Sequence, residues 1–217
     1  MYFYCFDINH SINIYQSHHK SQSWDIILYN HKYYLNLWET ISRPEQWATT
    51  IHFDQETIIK WVCNNQTIKL LHWMVNERFS SYNKCIHLFF WNNIATLLKH
   101  KKIISDSKKN KQTQHLVVFP SVFSLTQYTS SILNSEFLIL NGQSSDVAKA
   151  KAYRMISNNE KHILYTTHSQ IFQNWTNLQS ITIVDEYSPL YQTYQEPRYN
   201  LWTVVIKMRE IYNLSNS

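Results

Sequence analysis

Four short apolar runs recur in the second half of the chain: LVVF at 116–119, FLIL at 137–140, ILYT at 163–166 and ITIV at 181–184. Each run has the length of a buried β-strand, and polar or amphipathic segments separate it from the next run. Strands that alternate with segments of helical length are typical of βαβ units, whose strands pair in parallel. The sequence therefore predicts an α/β fold with a parallel sheet over residues 116–217.

The segments between these runs carry helix signals. Residues 124–133 follow the run that Pro120 ends, and Ser144 or Ser145 can cap a helix over SSDVAKAKAYRMI. Asn141-Gly142 is a turn signal after the second run. A closing helix is predicted over residues 201–212.

The first half of the chain has a different pattern. Residues 1–53 are β-rich, because segments 1–8, 24–29 and 33–37 are dense in aromatic and β-branched residues, and a small antiparallel sheet or barrel is predicted. From Asp54, which can cap DQETIIKWV, the pattern turns helical. Two or three helices are predicted within 55–98, where apolar side chains recur at helical spacing at Ile68, Leu71, Met74 and Val75.

Composition excludes two classes of nucleotide-binding site. The chain contains one glycine, whereas a Walker A loop and a dinucleotide-binding fingerprint each need several glycines to bring backbone N–H groups onto phosphate. The three cysteines, Cys5, Cys63 and Cys85, form no C-x-x-C pair and are predicted to be buried thiols. The longest apolar runs are too short to cross a bilayer, and the amino terminus lacks a basic n-region, so we expect a soluble, cytoplasmic protein.

A polar, basic segment, residues 99–115, lies between the two halves and is predicted to be a linker or loop. It is either a solvated surface loop without a partner or an arm that follows a nucleic-acid backbone, since clustered lysines bind phosphates without sequence preference. We therefore divide the chain into domains 1–98, 99–115 and 116–217. The candidate DNA contacts of this segment are Lys99, Lys101, Lys102, Lys108, Lys109 and Lys111.

Two carboxylates, Asp185 and Glu186, come directly after the fourth apolar run. Open α/β sheets place ligands and catalytic groups at the carboxyl ends of their strands, where such a pair can hold Mg²⁺ and orient water. An aspartate in this position also commonly does no more than cap the turn that follows. The tetrapeptide alone leaves both interpretations open.

Residues 184–200, VDEYSPLYQTYQEPRYN, resemble a signature of the primosomal protein N′ (PriA) helicase family, which reads V-D-E-E-H and continues through S-Y-K-Q to P-R-Y. THSQIF at 167–172 is similar to the family's T-R-S-A-L-F, and LNG at 140–142 lies where the family has L-H-S-G. Looser similarities cover LVVFP at 116–120 and LLHWMVNERF at 70–79. The residues shared with the main signature are Val184, Asp185, Glu186, Ser188, Tyr191, Pro197, Arg198 and Tyr199.

The resemblance implies an amino-terminal β-barrel-like DNA-binding domain with a helical segment, followed by a partial RecA-like lobe of the P-loop helicase type. This chain departs from the family plan. We expect no Walker A unit, second lobe or zinc-binding cysteine set, and Tyr187 stands where the family has Glu. Asp185 and Glu186 would then be a vestigial Walker B pair. We expect no ATP-driven helicase activity, no bound cofactor and no metal.

By the same resemblance, the loop over residues 188–199 corresponds to an aromatic-rich loop that couples DNA to the motor. Tyr191, Arg198 and Tyr199 are the candidate DNA contacts there, because Tyr and Arg side chains stack on unpaired bases. The alternative is a folded turn in which Arg198 pairs with Glu186 or Glu196.

Three hypotheses about function follow. The first is a catalytically inactive, PriA-like protein that binds forked or single-stranded DNA in replication or replication restart. The second is a scaffold that docks primosome or single-strand-binding proteins through the RecA-like lobe. The third is a weak metal-dependent enzyme that uses Asp185, Glu186 and His168. The expected partners are DNA and replication proteins, and we expect no membrane partner.

Replacing all six lysines of residues 99–111 with Gln should weaken binding to single-stranded DNA and flatten its salt dependence, because each lost phosphate contact removes about 0.7 from the slope of log K against log salt. Fluorescence anisotropy over a salt series measures both quantities. Unchanged binding would remove this segment from the interface.

Overall fold

A computed structural model of the chain describes residues 2–7, 12–17, 26–29, 32–40, 50–53, 57–59, 63–77, 79–90, 112–132 and 137–214. The chain divides into two compact units, Met1–Cys63 and Asn64–Ser217. The first unit is a β-sheet, and the second is a parallel sheet with helices.

The sheet of the first unit has six described strands: β1 Tyr2–Asp7, β2 Ile12–Ser17, β3 Ile26–Tyr29, β4 Lys32–Thr40, β5 Thr50–Phe53 and β6 Thr57–Ile59. Their order across the sheet is β5-β2-β1-β4-β3-β6. β1 pairs antiparallel with β2 and β4, and β3 pairs antiparallel with β4 and β6. β2 and β5 run parallel. The β-rich character predicted for residues 1–53 is therefore present in a largely antiparallel sheet.

The helix predicted to begin at Asp54 is wrong at residues 57–59. These residues form β6, in which Thr57 pairs with Leu28 and Ile59 pairs with Ile26. Thr and Ile are β-branched, so they are restricted in a helix and fit a strand well. Pairing with a strand about 30 residues away in sequence thus outweighs the local helical pattern.

The described residues of the second unit form four parallel strands in the order β10-β7-β9-β8. It is an α/β fold, as the spacing of the four apolar runs predicts. Its elements are α1 Asn65–Asn76, α2 Tyr82–Phe90, β7 Gln114–Phe119, α3 Val122–Thr129, β8 Phe137–Leu140, α4 Asp146–Ser157, β9 Ile163–Thr167, β10 Leu178–Ile183 and α5 Leu201–Tyr212.

Side-chain caps define the helix starts. Ser121 accepts a hydrogen bond from the Ser124 N–H and forms a reciprocal capping box with it, so α3 begins two residues before the predicted start. Ser145 caps α4, which decides between the two serines that the sequence offered. Asn200 caps α5, whose bounds agree with the prediction.

Helices α1 and α2 belong to the second unit, whereas the sequence grouped them with the amino-terminal domain over residues 1–98. The reason is packing: α1 lies against α5, which in turn packs on β10. Leu70, Leu71 and Met74 of α1 are buried, as are Val204 and Met208 of α5. Two amphipathic helices with facing apolar surfaces exclude more water together than either does alone.

A buried polar cluster joins α1 to the segment that precedes β10. The side-chain oxygen of Asn174 accepts hydrogen bonds from the Asn64 N–H at 2.8 Å and from the Thr67 hydroxyl at 3.2 Å. Its side-chain N–H donates to the Ser157 hydroxyl at 3.0 Å. Asn64 also donates to the carbonyl oxygen of Trp175. Asn174 is fully buried, so these partners replace the water that its amide loses on folding.

Replacing Asn174 with Ala should lower the free energy of unfolding by roughly 2 to 4 kcal/mol, because the Asn64 N–H and the Thr67 hydroxyl lose their buried acceptor. Urea denaturation measures the change. Gln179→Ala is the matched control, since Gln179 is exposed on β10 and its loss should matter little. Equal stabilities for the two variants would show that this cluster does not hold α1 in place.

Candidate functional site

The carboxyl ends of the four parallel strands meet at one edge of the sheet of the second unit. β7 is followed by Pro120, β8 by Asn141 and Gly142, β9 by His168, and β10 by Val184 and Asp185. This edge is where open parallel sheets place their ligands. The sequence-predicted residues Asp185, Glu186, Tyr191, Arg198 and Tyr199 all lie on the loop that follows β10, so this loop is the candidate site.

The loop starts with a sharp change of direction at Asp185. The Val184 N–H donates to the carbonyl oxygen of Val118 at 2.9 Å, which extends the pairing of β10 with β7 by one residue. Asp185 then adopts a left-handed backbone conformation with φ of 51°, a region that Asp tolerates better than most residues. The Ser188 N–H closes the turn on the Asp185 carbonyl oxygen.

Both carboxylates of the pair are exposed. A hydrogen bond to the Glu186 carboxylate, together with its negative charge, raises the pKa of the Tyr187 hydroxyl. The Glu186 carbonyl oxygen accepts a hydrogen bond from the indole N–H of Trp202 at 2.9 Å, which ties the turn to α5. Asp185 and Glu186 thus stand in solvent at the end of a strand, in the position that the sequence predicts.

Tyr191 anchors the loop to the sheet. Its ring is buried, and its hydroxyl lies 3.0 Å from the carbonyl oxygen of Val118 and 2.5 Å from that of Val184. Burial, with a smaller effect of the Asp185 charge, raises the pKa of this hydroxyl. One phenolic proton shared between the ends of β7 and β10 holds the loop across the sheet edge, so base stacking by Tyr191 does not fit this packing.

Tyr199 closes the far end of the loop. It is buried, and its hydroxyl donates to the carbonyl oxygen of His168 at 3.1 Å. Its ring meets Phe172 edge-on, with 5.5 Å between ring centroids. The Thr193 N–H donates to the Tyr199 carbonyl oxygen, and the Tyr199 N–H donates to the Thr193 hydroxyl. Base stacking by Tyr199 likewise does not fit its place in this packing.

The loop exposes a different set of side chains. Tyr187 is 90% exposed, Tyr194 is 78% exposed and Leu190 is 54% exposed. Arg198 is also exposed, and within the described part of the chain it makes no ion pair with Glu186 or Glu196. The sequence offered no signal that separates Tyr187 and Tyr194 from Tyr191 and Tyr199, because all four lie in one aromatic-rich segment.

Next to this loop, His168 lies at the end of β9. Burial lowers the pKa of its imidazole, and its Nδ1 atom is buried without a hydrogen-bond partner among the described residues. The ring contacts Tyr199 edge-on. A neutral imidazole is therefore the form that this position favours near pH 7.

Several predictions concern residues or groups elsewhere. The six lysines proposed as DNA contacts lie outside the described residues, so their roles stay predictions: Lys99, Lys101, Lys102, Lys108, Lys109 and Lys111.

Cys63 and Cys85 are buried, as expected, and burial raises the pKa of both thiols to about 12. Where the structure describes the chain, His, Cys, Asp and Glu side chains do not gather in threes at any place that could hold a metal ion. None of the helices defined there combines the length and apolar character needed for a bilayer crossing.

Comparison of the chain with models of protein families and with curated proteins finds no match. The architecture of the second unit shows its α/β class. Its described strands form a four-stranded parallel sheet, and an anchored, aromatic-rich loop that begins with a carboxylate pair follows β10.

Replacing Tyr191 with Phe should lower the free energy of unfolding by about 1–3 kcal/mol, because the Val184 carbonyl oxygen loses a buried donor. The Val118 carbonyl oxygen keeps the Val184 N–H as its partner. Tyr187→Phe removes the same hydroxyl from an exposed ring and should leave stability unchanged. Urea denaturation of the two variants gives the comparison. If Tyr191→Phe were as stable as the parent chain, the hydroxyl would not be the anchor of the loop.

Proposed function

We propose that this protein binds DNA with unpaired bases, in forked or single-stranded form, and acts in DNA replication or replication restart without a helicase motor. The observation that carries the proposal is the exposure of two tyrosine rings, Tyr187 and Tyr194, together with Arg198 on an anchored loop. Stacking on exposed aromatic rings is a sequence-tolerant way to hold unpaired bases.

The charge of the loop favours contacts with bases over contacts with phosphates. Asp185, Glu186 and Glu196 are exposed there beside one cation, Arg198. A phosphate backbone laid along this loop would meet like charges, whereas the faces of bases carry no net charge. Phosphate contacts are then left to the basic segment at 99–111 and to the net positive charge of the chain, +5.

The resemblance to the PriA helicase family supports the same proposal. The residues that carry it include the strand-end pair Asp185 and Glu186 and the loop residues Pro197, Arg198 and Tyr199. We propose that the second unit is a reduced RecA-like lobe that retains the DNA-facing loop and lacks the phosphate cradle. Asp185 and Glu186 are then a vestigial metal-binding pair with no triphosphate to act on.

The alternative proposal, a scaffold for replication proteins, is favoured by a separate apolar surface. Tyr128 contacts Tyr165, and Tyr165 contacts Phe137, with 5.6 and 5.1 Å between ring centroids. Tyr128 and Ile139 are 48% and 44% exposed, and Phe123 on α3 is 77% exposed. Partly exposed aromatic residues that contact one another, as Tyr128, Tyr165 and Phe137 do, often mark protein-binding surfaces.

Replacing both Tyr187 and Tyr194 with Ala should raise the Kd for a fork with an exposed 3′ end, and for single-stranded DNA, by roughly 5- to 100-fold, because the bases lose their stacking partners. Fluorescence anisotropy without nucleotide, over a salt series and beside plain duplex, measures these affinities. Phe123→Ala is the matched control, since it removes an exposed ring from α3.

Two outcomes would contradict the proposal. The first is parent-chain binding to fork and single strand that is no tighter than binding to duplex. The second is a double variant that binds as well as the Phe123→Ala control. Capture of a primosome or single-strand-binding protein that depends on Phe123 and Tyr128 would favour the scaffold instead.

A further inference from the structure

A cavity of about 410 Å³ opens beside the candidate loop. Its walls come from the end of β9, from α2 and from residues 192–197 and 199, so it lies at the carboxyl edge of the parallel sheet. The side chains that matter for its chemistry are Leu88, His168, Ser169, Glu196, Pro197 and Tyr199.

The shape of the cavity is set before any ligand arrives. Gln192 and Asn200 form a bridge between the two arms of the loop, and their side-chain amides are hydrogen-bonded to each other at 3.3 Å. The Thr193 hydroxyl lies 3.0 Å from the carbonyl oxygens of both Pro197 and Tyr199. A binding site that is already ordered loses less conformational entropy when it takes its ligand.

Part of the lining is apolar. Leu88 of α2 is half-buried and contributes apolar surface. Pro197 and Tyr199 also border the cavity, but both are buried, so we assign no stacking contact to the Tyr199 ring. The exposed ring of Tyr194 lies at the same cavity. A flat, partly apolar ligand fits such walls.

Most polar side chains of the lining are neutral. The lowered pKa of His168 leaves a neutral imidazole with one donor and one acceptor nitrogen. Among the described residues, the Ser169 hydroxyl has one long contact, 3.5 Å, with the Thr167 hydroxyl. Among the described lining residues, Glu196 carries the one full charge, and it is negative. This lining disfavours phosphate and suits a ligand that donates hydrogen bonds.

From this chemistry we infer that the cavity holds one unstacked nucleobase of the bound single strand and that Glu196 accepts a hydrogen bond from its exocyclic amino group. The inference rests on the proposed function and adds that the bound single strand is preferred when it carries cytosine in place of uracil. Carboxylates accept from the N4 amino group of cytosine. Uracil has the same ring with a carbonyl oxygen in that place, so it would set an acceptor against an acceptor.

The test compares single-stranded oligomers of about 12 nucleotides, all deoxycytidine against all deoxyuridine, by anisotropy with the full chain. The two strands differ in the N4 amino group and in the ring nitrogen pattern that accompanies it. We expect the parent chain to bind the cytosine strand at least roughly fivefold more tightly. Glu196→Gln should reduce this ratio to less than about twofold while binding to the uracil strand persists, because an amide can turn to face either base.

Glu160→Gln is the matched control. It removes one exposed carboxylate three residues before β9, at the opposite edge of the sheet, and should keep the cytosine preference. Equal binding of the two strands by the parent chain, or a preference that survives Glu196→Gln, would overturn the base site and leave the proposed function standing. Failure of the parent chain to bind either strand or the fork would overturn the proposed function and the base site with it.

Discussion

The hydroxyl of Tyr191, held between the carbonyl oxygens of Val118 and Val184, is the contact on which the candidate site depends. β7 and β10 end side by side, where the Val118 carbonyl oxygen already accepts from the Val184 N–H and the Val184 carbonyl oxygen lies past the last ladder hydrogen bond. The Tyr191 hydroxyl lies between both oxygens and attaches the start of the 17-residue segment 184–200 to the sheet. Along this segment the chain makes the turn at Asp185, then the short helical turn that ends at Tyr191, and it reaches the cap of α5 at Asn200.

The aromatic residues of the loop fall into a buried pair and an exposed pair. Rings that serve packing point inward, where Tyr191 meets strand ends and Tyr199 meets Phe172 and the His168 carbonyl. Tyr187 and Tyr194 remain in solvent, although burying a tyrosine ring is favourable in general. A loop that is anchored at both ends can present such rings at fixed positions, which would lower the entropy cost of the proposed single-strand binding.

The distribution of charge suits phosphate contacts and base contacts made by different segments of the chain. The loop is locally acidic, and the chain as a whole is basic, with a lysine-rich segment at 99–111. Attraction to a polyanion and recognition of its bases can therefore belong to different parts of the molecule. In the cavity, His168 is a neutral imidazole and Glu196 contributes a carboxylate, so the proposed base site would favour a nucleobase over a phosphate.

The sequence by itself determined the α/β class of the second unit, its four strands and the helix at 201–212, because hydrophobic period and capping residues act over a few neighbouring positions. It also located the loop after β10. Tertiary structure alone decided that Thr57–Ile59 form a strand, that α1 packs with α5, and which tyrosines of the loop are buried. These outcomes depend on partners 30 to more than 100 residues away in sequence, such as Asn174 for Asn64 and Val118 for Tyr191. Local composition carries no information about such partners, and only the closed fold brings them within bonding distance.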